Sequence, residues 1–382
     1  MIYFDNSATT ALSDASIAAI KEGIGRYGNP SSLHTLGFEA ERELEKSREA
    51  VAAALGAKSG RIIFTASGTE ATNLVFFGSV AAKTRRVANR IIITDSEHPS
   101  VSGPAAILEK NGFEIVKIPT ANGELDRAAL SSALEKPVFL ASFMLVNNET
   151  GALYDVSDAF LEIKRKYPDA ILHCDAVQGF LKVKFDPASL GADCITVSGH
   201  KIHAPKGVGA LWISDRMIKE RKIAPVTLGG GQENGYRSGT ENTLGISAFA
   251  AAANEGKRDF AANFAKMTEL REYAIAKLGA LDGVKLNLPV KAAPHVLSVT
   301  LPDIKSETMV HYLSSKGICV SSGSACSSHS NKTSGALLAF GLSKHTADCT
   351  IRVSFCRYNE KDEVDVLADA LSDGLKTLVR IK

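Results

Sequence analysis

Four short stretches carry residue types that could do chemistry together. Ser198-Gly199-His200-Lys201 separates two apolar runs, Ile195 to Val197 and Ala210 to Ile213. That order reads as strand, turn, strand, with Lys201 on the turn. Residues around it host a solvated charge poorly. Desolvation lowers a lysine pKa and frees the amine as a nucleophile, able to form a Schiff base with an aldehyde. A loop lysine in water is the plain alternative. Asp175-Ala176-Val177-Gln178 closes a second apolar run, Ala170-Ile171-Leu172. A carboxylate at the end of a buried strand calls for a cationic partner, and a protonated pyridine nitrogen is one. Ser67-Gly68-Thr69 lies between a strand pattern at 61–65 and a helical run at 71–82. Backbone N–H groups, hydroxyls and the helix dipole make such a place an anion site, unless Ser67 or Thr69 is merely an N-cap. Ser321 to Ser328 is a glycine–serine loop carrying Cys326. Loops of this kind are flexible and exposed, whereas cysteine prefers burial, so the thiol is either tolerated there or used there.

A nucleophilic lysine, an acid suited to a pyridine nitrogen and a phosphate cradle together describe a site for pyridoxal phosphate. The motifs DAVQ and SGHKIHAPKGVG resemble those of the class V aminotransferases, within the fold-type-I pyridoxal phosphate enzymes. YFDNSATT, the EH pair at 97–98, VNNETG, RSGT and SSGSAC resemble the cysteine desulfurases, in the group with the longer cysteine loop. The likeness runs from FDNSATT to IRVSF, essentially the whole chain. Ala11 stands where a proline is expected, and Cys356 where many relatives have glycine.

The resemblance implies an α/β fold of type I: a large domain with a mostly parallel seven-stranded sheet, residues 15–255, and a small α+β domain, residues 1–14 and 256–382, bearing the cysteine loop. It implies that Lys201 carries the cofactor, that Asp175 faces the ring nitrogen, and that His98 stacks on the ring and assists proton transfer. Asn148 then bonds the phenolic oxygen. Gly68, Thr69, Gln178, Ser198 and His200, with Thr240 reaching over from a partner chain, hold phosphate and ring oxygen. Arg352, on a strand where an arginine needs an anion, binds the substrate carboxylate. Cys326 takes sulfur from L-cysteine as a persulfide, leaving L-alanine. The implied setting is a cytoplasmic homodimer that passes sulfur to an acceptor or scaffold protein, for iron–sulfur assembly or tRNA thiolation. A selenocysteine lyase or another class V lyase is the enzymatic alternative. A catalytically silent scaffold is the other, and intact Lys201, Asp175 and Cys326 argue against it.

These residues need elements to position them. The chain has 382 residues, 45% hydrophobic and 23% charged, as in a soluble globular protein with one large or two ordinary domains. A net charge of +2 gives no field for nucleic acid or membrane. The start lacks a basic leader, and no apolar run approaches the ~18 residues that cross a bilayer. Six cysteines without a CxxC pair read as free thiols. His173, His200 and His203 could ligate a metal, but no cysteine or carboxylate is placed to complete a set, so none is expected. APKGVG lacks the P-loop pattern. Helix patterns at 38–55, 71–82 and 99–111 alternate with strand patterns at 61–65, 90–94, 113–118 and 138–146, the order of a parallel α/β sheet with its ligand residues after strands. One long helix is expected over 241–281. Beyond it come strands at 296–301, 318–320 and 350–355, and helices at 306–315 and 361–379.

Overall fold

The structure is a computed structural model and describes residues 1–82, 88–323 and 333–380. Twelve strands occur among them: β1 (Ile2–Tyr3), β2 (Arg61–Thr65), β3 (Arg90–Thr94), β4 (Glu114–Ile118), β5 (Val138–Met144), β6 (Ile171–Asp175), β7 (Cys194–Ser198), β8 (Gly209–Ile213), β9 (Lys285–Asn287), β10 (Val296–Thr300), β11 (Ile318–Cys319) and β12 (Thr350–Ser354). Seven form one sheet, in the order β2-β8-β7-β6-β5-β3-β4. Only β8 pairs antiparallel, with β2 on one side and β7 on the other. The sheet is mostly parallel, as expected.

Its inner strands are largely apolar because both faces are covered, whereas the edge strand β4 carries Glu114 and an exposed Lys117. Alternation along each strand sends neighbours to opposite cores. In β3, Ile92 joins one core, while Ile91 and Ile93 join the other; in β8, Ala210 and Trp212 part from Leu211 and Ile213 in the same way. Connections leave β3 towards β4 and β5 towards β6, in opposite directions. The crevice outside the carboxyl ends of β3 and β5 is therefore the switch point at which such sheets bind ligands.

A third core gathers Phe4 with residues between Leu270 and Leu371. It is built on the antiparallel sheet β12-β10-β9 and on the parallel pair β1-β11, which ties the first residues to the C-terminal part. The expected single helix over 241–281 is two helices, Thr243–Arg258 and Phe260–Gly279, meeting at Asp259. Ile246, Phe249 and Ala253 of the first pack on the large sheet, whereas Leu270, Ala274 and Leu278 of the second pack in the third core. The break falls where the chain changes cores. Aspartate favours helix ends over interiors, so it is the natural residue at that joint.

Candidate active site

Five segments at the carboxyl edge of the large sheet supply the residues singled out above. After β2, Ser67 caps the helix Gly68–Ala81, its hydroxyl accepting the Glu70 N–H at 3.1 Å. The N-cap alternative is thus true of Ser67, and it leaves the amides of Gly68 and Thr69, in the first turn, without intrahelical acceptors. A Cβ on Gly68 would come 2.9 Å from Val177 Cγ2 and 3.6 Å from Ser198 Cβ. Only glycine lets this helix start approach β7 so closely. The hydroxyls of Thr69 and Ser198 find no hydrogen-bond partner among the described residues. Together they form an N–H- and hydroxyl-lined cradle that suits a phosphate.

After β3, His98 caps the helix Pro99–Lys110. Its Nδ1 accepts the Ser100 N–H at 3.1 Å, which leaves the ring proton to Nε2. Burial, with the charge of Lys201, pushes its pKa down to about 4. His98 is thus a neutral, mostly enclosed ring at the switch point, with the flat face that stacking requires. After β5, Asn147 builds the turn: its Oδ1 accepts the N–H groups of Glu149 and Thr150, both at 2.9 Å, and its Nδ2 donates to Ser96. Asn148 is held beside it.

Asp175 ends β6, opposite Met144 of β5 and Thr196 of β7. Burial raises its pKa to about 6, against the opposing pull of the Val177 N–H at 3.0 Å and of Lys201. In the chain alone it is a desolvated carboxyl whose ionised form lacks a full counter-charge. A pyridinium would supply one.

Lys201 ends the short 3-10 turn Gly199–Lys201 between β7 and β8. Its Nζ donates to the carbonyls of Ser7 at 2.6 Å and Ala8 at 2.7 Å, and Gln178 Nε2 donates to the same Ser7 carbonyl at 2.9 Å. The N-terminal segment is thereby stitched across the site. His200 Nδ1 lies 3.3 Å from Thr9 Oγ1 in that segment. His173 is spoken for at both nitrogens, by Ser142 at 2.7 Å and Thr196 at 2.9 Å.

Arg352, 3% exposed on β12, donates to Asp5 Oδ1 at 2.7 Å and to the Asn148 carbonyl at 2.9 Å, while its Nε is buried without a partner among the described residues. Asn148 meets Arg352 through its backbone. Cys326 lies outside the described residues, but both flanks of its loop are held close by. Ser321 exchanges backbone hydrogen bonds with Arg352. Ser334 donates to Glu149 Oε2 at 2.5 Å, and the same oxygen lies 3.2 Å from where a Cβ on Gly323 would sit. Thr240 is exposed, its hydroxyl without a partner among the described residues. It stands outside the group just described.

Sequence reasoning missed Asp5, Glu97, Glu149 and Lys182. Glu97, next to His98, is half-buried, with its pKa raised to about 8 by desolvation and, less, by Asp175. Its Oε1 accepts from Met144 N and from Thr94 Oγ1, both at 2.8 Å, so it pins β3 to β5 beneath the crevice. The only signal was adjacency to His98.

A phosphate cradle, a desolvated acid across from a turn lysine, and an arginine gripped at the seam of two cores describe an enzyme that holds pyridoxal phosphate. The aminotransferase class-V family model matches residues 2–367. A NifS/IcsS homolog from Lactobacillus delbrueckii is 37% identical over 98% of this chain and 97% of its own length. The cysteine desulfurase IscS of Dictyoglomus turgidum is 36% identical over 99% and 95%. Among solved structures, a NifS-like protein superposes with a TM-score of 0.91 at 33% identity, over 99% of this chain and all of that one. The chain belongs to the class V aminotransferases, a pyridoxal phosphate-dependent family, and within it to the cysteine desulfurases.

Proposed function

We propose that the chain removes sulfur from L-cysteine, giving L-alanine and a persulfide on Cys326 that passes to an acceptor protein. The reading is carried by convergence. Lys201, Asp175, Gly68 and His98 share one sheet edge, and the flanks of the Cys326 loop are tied to Arg352 and Glu149 beside it. Pyridoxal phosphate, carried on Lys201 with its phosphate at Gly68, Thr69, Ser198 and His200, supplies the electron sink that makes bonds at Cα and Cβ of an amino acid breakable.

The chain does the rest. Asp175 holds a proton on the ring nitrogen, Asn148 and Gln178 position the ring oxygen, and His98 covers the ring face. Arg352 takes the substrate carboxylate, a planar fork on a planar anion, with Asp5 fixing its angle. The Lys201 amine moves the Cα proton. The Cys326 thiol takes the sulfur: one Cβ–S bond breaks, one S–S bond forms, and the proton balance leaves alanine and a persulfide.

Residues 15–255 act as the cofactor-binding domain, and residues 1–14 with 256–382 as the small domain that presents the cysteine. A homodimer completes the site through Thr240. Supporting this, Tyr27, Leu33, Phe38 and Leu228 leave large apolar side chains exposed. No helix among the described residues is long and apolar enough to cross a membrane, and the reading places the enzyme in the cytoplasm, feeding iron–sulfur assembly or tRNA thiolation. The test is release of alanine and sulfide from L-cysteine, with and without scaffold proteins. Alanine in step with sulfur on the enzyme supports the reading; faster turnover of selenocysteine than of cysteine favours the lyase alternative.

A further inference from the structure

Lys182 takes no part in the chemistry above, yet it is 6% exposed and its Nζ has no hydrogen-bond partner among the described residues. A buried, unpaired ammonium is among the most costly groups a protein can hold. Lys182 borders a cavity of about 40 Å³ at the seam of the large sheet and the third core. The wall comprises the turn after β7, the end of β12 with Cys356 and Arg357, and the helix Thr243–Arg258. Lys182 and Arg357 bring positive charge to this wall beside the Lys201 side chain, and no carboxylate among the described residues lines it. Arg357 is paired with Glu255 through Nη2, but its Nε is also buried without a partner among the described residues. Thr10 is already committed, donating to the His200 carbonyl at 3.0 Å and accepting the His203 N–H at 2.7 Å. Since one water needs roughly 10–15 Å³ of such space, the cavity has room for a single small ion and a companion water, far too little for an amino acid or a phosphate ester.

We propose that this cavity binds a small monovalent anion of halide or hydrosulfide size, held by the Lys182 ammonium beside the Cys356 thiol and Arg357. Of the residues assigned to the cofactor crevice, only Lys201 borders it. The site is therefore separate from the phosphate cradle, and its occupant would offset the buried charge of Lys182.

The charged and titratable groups around Lys182 set its pH dependence. Burial lowers its pKa to about 7, Lys201 and Arg352 push the same way, and Cys356 opposes them. His203 is lowered to about 4 and His295 falls well below the ordinary histidine value, each chiefly by burial, so neither adds charge near neutrality. The anion needs the protonated lysine. At pH 6 most Lys182 carries its proton, and at pH 8 about one molecule in ten does, so chloride should bind about tenfold more weakly at pH 8.

The probe is chloride, read by the chloride-35 NMR line width on the holoenzyme in otherwise chloride-free buffer. Wild type should broaden the line at pH 6 and lose about tenfold in affinity at pH 8. Lys182→Met should fold, since it replaces an unpaired ammonium with an apolar chain of similar length, and should lose the Lys182-dependent broadening. Added sulfide that displaces chloride identifies hydrosulfide as a ligand; this weak acid loses its charge on acidification, so its binding should peak between the two pH values. Sulfide that fails to displace chloride identifies a halide site. Equal broadening by wild type and Lys182→Met overturns the proposal. So does a wild-type affinity that is the same at pH 6 and pH 8, a readout that needs no variant.

Discussion

Lys201 and Lys182 lie close enough to feel each other's charge, yet the chain surrounds them differently. Lys201 stands on a turn and donates to two fixed carbonyls of an N-terminal segment that Gln178 also holds. Lys182 lies in a cavity wall, its Nζ without a hydrogen-bond partner among the described residues. Both are withdrawn from water, so burial alone does not mark a reactive amine. What separates them is company. Lys201 carries its charge near Asp175 and His98, at the sheet edge that also holds the Gly68 helix start, whereas Lys182 borders a small cavity with Cys356 and Arg357.

The sharpest way to break this contrast is to remove Lys201. Lys201→Ala should fold, because a turn position packs little. It should lose covalently held cofactor and the visible absorption that goes with it, and turnover should fall at least about 10²–10⁴-fold from the missing proton transfer alone. Cofactor that remains covalently bound, together with alanine production, would put the nucleophile elsewhere. The next effect is Asp175→Asn, expected to keep the cofactor and lower kcat by about 10²–10³-fold, the range for losing one preorganised electrostatic partner in a buried site. Near-normal kcat would take Asp175 out of the mechanism.

Asp5→Asn tests the grip on Arg352. With the 2.7 Å ion pair gone, the guanidinium loses its fixed angle, and KM for L-cysteine should rise about tenfold with kcat little changed. An unchanged KM would leave Asp5 with a purely structural role. The smallest effect belongs to Lys182 and is one of stability. Its folded pKa, about 7, lies below the ordinary lysine value, so between these two the unfolded chain binds more protons. Wild-type stability should therefore rise as pH goes from about 7 towards 10, relative to Lys182→Met, in which that slope is absent. The variant should melt no lower than wild type at pH 7 in chloride-free buffer. Parallel pH–stability curves would mean that Lys182 is not desolvated.

Much of this was legible in the sequence because the chemistry follows strands. Asp175, Lys201, Gly68 and His98 each come within a few residues of the end of an apolar run, and a parallel sheet collects the ends of such runs at one edge. The helix Ser306–Ser315 was expected between its observed ends for the same local reason, a periodic run with polar punctuation. What was not legible is long-range. Asp5 meets Arg352 across 347 positions, and nothing near FDNSATT foretells that partner. Lys182, in the run Leu181-Lys182-Val183-Lys184, looks like any surface lysine next to another; only tertiary packing buries the first. The helix break at Asp259 was missed because no proline marks it, and the nearby Gly256 sits inside the first helix rather than at its end. The change of core there is a tertiary fact, though the aspartate was its one local trace.

The central claim is that Cys326 is the sulfur carrier. It is the one cysteine set in a glycine–serine loop, whereas Cys174, Cys194, Cys349 and Cys356 are buried and Cys319 is partly so. Burial raises the thiol pKa of Cys174, Cys194, Cys349 and Cys356, which keeps them in the unreactive form. The direct measurement is mass spectrometry of the holoenzyme after brief exposure to L-cysteine, with peptide mapping, beside the Cys326→Ala variant. The account predicts one added sulfur atom on the Cys326 peptide, and a variant that keeps its cofactor, binds L-cysteine and releases almost no alanine. Added sulfur on another cysteine, or full alanine release by the variant, would contradict it.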